Sequence, residues 1–215
     1  MLGRVEKLSA DTLSTISPAC LDSVFFELDA KVASTLKTRS DRRFEKEAWL
    51  ANGLLDKAVG GFNIFTDKPH AVATILYCQS ELAPGCAQFP TAPASTNVPV
   101  ITSLHIDSAI SGIGLEALLL DAVLYELLSM DVKEVEAFGY YPAPEAAETV
   151  AKTKYREIAD DCISNGLMSV ETLLAAGFKV VEDHAVIPRL HLELPPPHPL
   201  LSAEIADEIL AQAMA

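Results

Sequence analysis

The fold and the ligand class are both indicated by residues Val100–Gly139, VITSLHIDSAISGIGLEALLLDAVLYELLSMDVKEVEAFG. This stretch begins as an apolar strand, continues through a short loop with two glycines, and then forms a long amphipathic helix and a second strand. A glycine turn at the start of a helix presents backbone N–H groups that have no partner within the helix, and such groups bind anions. The stretch therefore predicts a protein that binds a phosphorylated ligand.

The composition is that of a globular protein. Of the 215 residues, 50% are hydrophobic, and the mean hydropathy is +0.25, so the chain can bury a sizeable core as one domain. No apolar run reaches the ~20 residues that span a bilayer, and the first residues lack the apolar core of a signal peptide. The four cysteines are widely scattered without metal-ligand spacing. We therefore expect no disulfide framework, no metal site and a cytoplasmic location.

The chain is strongly acidic, with a formal net charge of −14 at pH 7. An acidic surface repels nucleic acid and anionic lipid, so both are disfavoured as partners. It would attract a cationic substrate such as an amine, although acidity alone also keeps a cytoplasmic protein soluble.

The rest of the chain adds strands and helices on both sides of this stretch. The elements expected before it are a strand over Arg4–Leu8, a short helix over Asp11–Ile16, a helix from Ser40 to Leu54 with Phe44, Trp49, Leu50 and Leu54 as apolar positions, and strands over Gly60–Thr66 and Pro69–Cys78. Leu21–Leu28 fits either a strand or the extension of a helix. Within the stretch, the strands Val100–Asp107 and Val132–Phe138 flank the helix Gly114–Met130.

The elements expected after it are a polar helix over Glu145–Ile163, a short helix over Ser169–Ala176 with Gly177 as its cap, strands over Phe178–Glu182 and Arg189–Leu194, a stiff spacer over Pro195–Pro199, and a last helix over Ser202–Met214. The apolar face of the last helix needs a partner, either the body of this subunit or a second subunit. A homodimer is therefore one expected assembly.

The order of these elements, together with the Gly-x-Gly loop and the ending LLAAGFKVVEDHAVIPRLHLEL over Leu173–Leu194, resembles the GNAT superfamily of acyl-CoA-dependent N-acyltransferases. The resemblance implies an α/β (α+β) fold with a mixed, mostly antiparallel central sheet flanked by helices. It covers residues 1–194 as one domain, with a helical insertion at about 143–166. Residues 195–215 add the proline spacer and the C-terminal helix.

In the superfamily, a loop of the pattern Gln/Arg-x-x-Gly-x-Gly/Ala binds the pyrophosphate of coenzyme A. Two registers fit here. In one, Gly112 and Gly114 are the two glycines. In the other, which we prefer, Ser111, Gly114 and Glu116 take the three pattern positions. Both registers lack the Gln or Arg. A Glu116 side chain that points inward would repel the pyrophosphate, whereas one that points outward would only complement the dipole of its own helix. The resemblance implies that coenzyme A is bound by Leu104, Ile106, Asp107, Ser111, Gly112, Ile113, Gly114, Leu115, Glu116 and Ala117.

Transfer of an acyl group to an amine needs a base for the ammonium proton and an acid for the departing thiolate. His105 is the predicted base, because a neutral imidazole is available at pH 7, although a lone histidine in a strand is more often structural. Glu136 on the next strand could act directly or through water. Leu173 replaces the tyrosine acid of many GNAT enzymes, so Tyr140 and Tyr141 are the substitutes, unless they only pack at the strand end.

Together these residues predict an N-acetyltransferase that transfers acetyl from acetyl-CoA to a small or peptide amine by direct attack. Acetyl-CoA would enter the gap between the strands Val100–Asp107 and Val132–Phe138. The alternative is a GNAT-like domain that has lost transfer chemistry and acts as a binding or regulatory module. The missing Gln or Arg, Glu116 and Leu173 favour that alternative.

Overall fold

The computed structural model describes residues 3–142, 158 and 161–214. Its central sheet has the strand order β1-β2-β3-β4-β5-β8-β7, and β6 pairs with β5 at one side of this path. The pairs β4–β5 and β5–β6 are parallel, and the others are antiparallel. The strands are β1 (Arg4–Lys7), β2 (Val59–Phe65), β3 (Ala73–Gln79), β4 (Pro99–Ile106), β5 (Glu134–Tyr140), β6 (Met168–Ser169), β7 (Lys179–Glu182) and β8 (Arg189–Glu193).

Helices cover both faces of this sheet. They are α1 (Pro18–Asp22), α2 (Ala30–Thr35), α3 (Arg39–Leu55), α4 (Leu115–Ser129), α5 (Val170–Ala175) and α6 (Ala203–Gln212). This mixed, mostly antiparallel sheet between helices confirms the predicted fold class. Among the described residues, none of these helices has the length and apolar character needed to cross a membrane.

The helix α4 carries the core on one face of the sheet. Seven of its fifteen residues are buried, and they pack with apolar side chains of β3, β4, β5 and β8. The apolar pattern of the sequence predicted this helix to within one residue at each end. Gly114, which has φ = +96°, is its N-cap, and a left-handed backbone at this point is what a glycine adopts without strain.

The opposite face is covered by α1 and α3. The helix α3 begins at Arg39 rather than Ser40, because Thr38 caps it: the Thr38 hydroxyl accepts from the Asp41 N–H, and the Asp41 carboxylate accepts from the Thr38 N–H, both at 3.1 Å. The predicted apolar position Phe44 is wrong, since this side chain is 70% exposed. Lys46 is buried in its place, because it forms an ion pair inside the protein.

Two further expectations need correction. Leu21–Leu28 is neither a strand nor a helical extension after Asp22. Its backbone forms a turn, in which the Leu28 N–H donates to the Val24 carbonyl, and the Phe26 carbonyl accepts from the N–H of Gly85, far along the chain. The strand β3 begins at Ala73 instead of Pro69. The polar helix predicted over Glu145–Ile163 lies mostly outside the described residues, and residues 161–166 form turns.

Candidate functional site

The strands β4 and β5 separate soon after they begin to pair. Their parallel register covers only Val100 with Glu136 and Ile101 with Ala137. Beyond this point the segment Gly166–Ser169 lies between them. The Leu104 N–H donates to the Gly166 carbonyl at 2.7 Å, while Met168 and Ser169 pair with the end of β5. The predicted open gap between the two strands is thus bridged here by the chain itself.

A cleft of about 1060 Å³ opens along the end of β4. On one side it is bordered by residues from the region of α1, α2 and α3, which we call the acceptor side: Ala19, Asp22, Ser23, Val24, Phe25, Ala33 and Arg42. On the other side it is bordered by the glycine loop and the start of α4 through Ser108, Ser111 and Glu116. Leu104, His105, Ile106 and Tyr140 also line it. One cleft therefore joins the glycine loop to the acceptor side.

The glycine loop turns sharply between β4 and α4. Asp107 caps a short 3₁₀ turn by accepting from the Ala109 N–H at 3.1 Å, and a hydrogen bond from Lys68 lowers the pKa of Asp107. Gly112 and Gly114 have φ values of +80° and +96°. The N–H groups in the first turn of α4 have no acceptor within the helix, so this turn can bind an anion. Both glycines take a positive φ, so these angles favour neither register.

Glu116 is half-buried at the second position of α4 and borders two clefts. The second cleft, of about 380 Å³, lies among α4, α5 and the proline spacer, and Asp121 and Glu171 also line it. Burial raises the pKa of Asp121, whose carboxylate accepts from the Leu201 N–H at 2.7 Å. These carboxylates make the surroundings of the loop acidic, which opposes the binding of a phosphate group.

His105 lies in β4 opposite Thr74 and is only 5% exposed. Its Nε2 atom has no hydrogen-bond partner among the described residues. Burial, and then the nearby Lys46 ammonium, lowers the pKa of His105 from 6.5 to about 3. A base with so low a pKa removes a proton poorly at neutral pH. The predicted role of His105 as general base therefore has little physical support.

Glu136 is held in a buried network rather than presented to the cleft. It is 1% exposed, and its carboxylate accepts from Arg189 at 2.6 Å and from the backbone and hydroxyl of Ser95 at 2.8 and 2.7 Å. This carboxylate is already fully occupied, so the proposal that Glu136 is catalytic loses its physical basis. In the sequence, Glu136 is one acidic residue in an apolar strand. This pattern is as typical of a buried ion pair as of a catalytic carboxylate.

The two tyrosines differ in position. Tyr140 lines the cleft, and burial, followed by the nearby Cys162 and Glu116, raises the pKa of its phenol. Tyr141 is 40% exposed, its N–H donates to the Val186 carbonyl, and it is absent from the cleft lining. Leu173 is fully buried. Of the predicted acids, only Tyr140 is therefore presented to the cleft.

Of the predicted coenzyme A residues, Leu104, Ile106, Ser111 and Glu116 border the main cleft, and Gly114, Glu116 and Ala117 border the second one. Gly112 is exposed, while Ile113 and Leu115 pack into the core beside the loop. Asp107 is tied to Lys68 by an ion pair of 2.8 Å next to the cleft. The loop residues are thus brought together in space, as the local sequence indicated.

A buried ion pair near His105 was missed from the sequence. The Lys46 ammonium contacts the Glu27 carboxylate at 2.5 Å, and both side chains are at most 1% exposed. Burial, the largest effect, lowers the pKa of Lys46, but the charge of Glu27, the nearby Cys20 and the hydrogen bond to Glu27 together raise this pKa above its ordinary value. Lys46 occupies an otherwise ordinary position in a polar helix, so no sequence signal distinguished it. Among the described residues, no cluster of three or more His, Cys, Asp or Glu side chains could hold a metal ion.

No protein-family model matches the sequence, and no curated protein matches it either. Solved structures do match it in fold. An N-acetyltransferase from Staphylococcus aureus Mu50 aligns with a TM-score of 0.53 and 12% identity over 90% of this chain and 99% of its own. The ribosomal-protein-S5-alanine acetyltransferase from Vibrio fischeri aligns with a TM-score of 0.53 and 10% identity, covering 93% and 97% of the two chains.

A third match is the aminoglycoside acetyltransferase AAC(6')-Ib in complex with coenzyme A and kanamycin, with a TM-score of 0.50, 12% identity, and coverage of 89% of this chain and 95% of its own. The chain has the GNAT fold. At such low identity the likeness establishes this fold alone. Within the GNAT fold, the chain combines a loop with two positive-φ glycines, an acidic residue at the start of α4 and a bridge between β4 and β5.

Proposed function

We propose that the protein is an acyl-CoA-dependent N-acyltransferase that transfers acetyl from acetyl-CoA to a primary amine. The observation that carries the proposal is the single cleft that joins the glycine loop at the start of α4 to the acceptor side, within a GNAT fold. One similar structure is a complex with coenzyme A and kanamycin. By that likeness, acetyl-CoA would occupy the loop and the end of β4, and the amine would occupy the acceptor side.

In this mechanism the first-turn N–H groups of α4 bind the pyrophosphate, and the backbone of Ile106 positions the acyl arm. The neutral amine attacks the thioester carbonyl carbon, the carbon–sulfur bond breaks, and the amine loses its proton to water. Tyr140 donates a proton to the departing thiolate. A phenol is protonated at neutral pH, as an acid must be, although burial raises the pKa of Tyr140 and makes it a weaker proton donor than a free tyrosine. The transfer is direct, without an acylated side chain.

Binding of acetyl-CoA along β4 would compete with one internal hydrogen bond. The N–H of Leu104, a residue that lines the cleft, already donates to the Gly166 carbonyl. An acyl arm that pairs with β4 at this residue must displace Gly166, and the cost of that displacement subtracts from the affinity. We therefore expect binding to move the segment Gly166–Ser169.

The proposal is tested by thermal unfolding with acetyl-CoA and by thiol release across a panel of amines. A ligand at 100 times its dissociation constant adds ~2.7 kcal/mol of stability. Glu116→Gln removes the charge at the loop and should tighten acetyl-CoA binding at least about fivefold, because like charges ~4 Å apart repel by ~1 kcal/mol even in water. Glu126→Gln, three turns along the same helix, is the control and should leave the affinity unchanged. Absence of any shift at millimolar acetyl-CoA would overturn the proposal.

The alternative function is a catalytically impaired binding or regulatory module. It is favoured by the low pKa of His105, by the occupied carboxylate of Glu136 and by the buried Leu173 at the tyrosine position. In that case acetyl-CoA would raise the unfolding temperature, but no amine would release the thiol.

A further inference from the structure

We propose that Arg42 binds a carboxylate of the acceptor, so that the substrate is an amine that also carries a carboxylate, as an amino acid does. This inference rests on the proposed function and names its acceptor class. It follows from the unpaired guanidinium of Arg42 in the cleft lining and from the unpaired Nε2 atom of His105 in the same lining.

Arg42 is the only one of three neighbouring arginines that has no partner among the described residues. Arg39 and Arg43 both contact the Asp22 carboxylate, at 3.1 and 2.7 Å. Arg42 is half-buried and lines the cleft, but it makes no ion pair and no side-chain hydrogen bond to the part of the chain that the structure describes. A guanidinium that is partly removed from water without a counter-ion is costly, and an anionic ligand would offset this cost.

The position of Arg42 on α3 also leaves its positive charge uncompensated. It lies at the fourth residue of α3, near the N-terminal end, where the helix dipole disfavours a cation by ~0.3–1 kcal/mol. The neighbouring Asp22 is already shared by two arginines. Among the described residues that line the cleft, Arg42 is the one arginine or lysine, and the carboxylates are those of Asp22, Glu116 and Asp161. Arg42 is therefore the side chain of this lining that can pair with an anionic group.

His105 supplies a second, independent indication of a ligand in the same cleft. It is more than nine-tenths buried, and its Nε2 atom lacks a hydrogen-bond partner among the described residues. A buried polar atom without a partner is expensive, so a polar ligand that reaches the end of β4 would satisfy His105.

The anionic group is best assigned as a carboxylate rather than a phosphate. A planar carboxylate matches the two-pronged guanidinium of a single arginine. A phosphate monoester carries nearly two charges, and the cleft also contains the carboxylates of Asp161 and Glu116, which would repel the second charge. These same carboxylates favour the ammonium end of a zwitterionic substrate.

The test uses L-amino acids and straight-chain ω-amino acids, each paired with its carboxamide, together with 2-aminoethyl phosphate. Binding is measured by calorimetry without acetyl-CoA, and transfer is measured separately by thiol release. We expect the best acid to bind wild type at least about tenfold more tightly than its carboxamide, the range of a charge-assisted hydrogen bond. Arg42→Gln should abolish this preference, and Arg42→Lys should restore part of it.

Arg39→Gln is the matched control, because it removes the same charge from the same turn of α3 at a side chain that is 71% exposed and outside the cleft lining. It should keep the preference for the acid. The inference is overturned if acids and carboxamides bind equally, if no acid binds, or if both arginine variants lose the preference. It also fails if the phosphate binds more tightly than every carboxylate, or if Arg42→Gln weakens acetyl-CoA instead. Calorimetry measures binding of the acid even when no acetyl group is transferred. Failure of this inference, seen as no preference for the acid, is therefore distinct from failure of the proposed function, seen as no thiol release.

Discussion

His105 lies inside the protein with its Nε2 atom unpaired among the described residues, and burial keeps its ring neutral. The same residue in an exposed strand would change charge near pH 6.5. Here a proton would have to enter a site from which water is excluded and in which Lys46 already carries a positive charge. The environment therefore converts a residue type associated with proton transfer into a neutral hydrogen-bonding group.

This burial predicts an acid-sensitive contribution to stability. Between pH 6.5 and about 3, the unfolded chain binds a proton at His105 that the folded chain does not. Stability is therefore lost as the pH falls through this range, by ~1.4 kcal/mol per pH unit, or about 2 kcal/mol at pH 5. Denaturant unfolding of wild type and His105→Asn from neutral to acidic pH measures this. A difference between the two proteins that is constant with pH would contradict the prediction.

At the level of elements, the short strand β6 and the residues just before it close part of the gap between β4 and β5. Its segment bridges β4 and β5 through the Leu104–Gly166 hydrogen bond and the pairing of Met168 with Gly139. Gly166 has φ = +83°, and a Cβ atom there would lie 2.7 Å from His105 Nε2 and from Ser103 Cβ. Only a glycine lets the segment approach β4 so closely.

Gly166→Ala should therefore lower the free energy of unfolding by more than the cost of placing an alanine in a left-handed conformation. A left-handed alanine costs ~1–2 kcal/mol, and overpacking against β4 adds ~1–3 kcal/mol. Gly112→Ala is the matched control, because Gly112 has φ = +80° but nothing within 4 Å of the added Cβ. Denaturant unfolding of both variants compares the two losses, and equal losses would show that Gly166 is not packed against β4.

At the level of the whole molecule, the C-terminal helix α6 completes the core on the α4 face. Its buried residue Leu210 packs in the same cluster as α4, and Ile209 lies beside the position of a Cβ on Gly114 at 3.4 Å. The partner that its apolar face requires is therefore the body of the same subunit. This contact brings the end of the chain next to the glycine loop.

Leu210→Ala should lower the free energy of unfolding by ~2–5 kcal/mol, the range for a leucine truncated in a core. Ile205→Ala, on the same helix but at a side chain that is 45% exposed, should cost less than ~1 kcal/mol. Thermal unfolding at several protein concentrations gives both values. A loss that grows on dilution would instead indicate that Leu210 contacts a second subunit.

The sequence alone determined the glycine loop, the helix α4 and the main strands, because these depend on local backbone preferences and on apolar residues at the spacing of one face. It did not reveal the exposure of Phe44, the ion pair of Lys46 with Glu27, or the ion pair of Glu136 with Arg189. The two ion pairs join residues that lie 19 and 53 positions apart, and the exposure of Phe44 depends on how α3 packs. A single sequence carries no signal for such long-range packing.

The tertiary structure also decided which candidate residues share the cleft. It placed Arg42 and His105 in the lining of one cleft and brought the Gly166 carbonyl into a hydrogen bond with the Leu104 N–H, although α3, β4 and the segment Gly166–Ser169 are distant in sequence. The physical reason is that the burial of a side chain and the charges around it depend on neighbours from several elements of the fold. Residue types alone indicated the chemistry that is available, whereas packing decided which groups are exposed to a ligand and which are already paired.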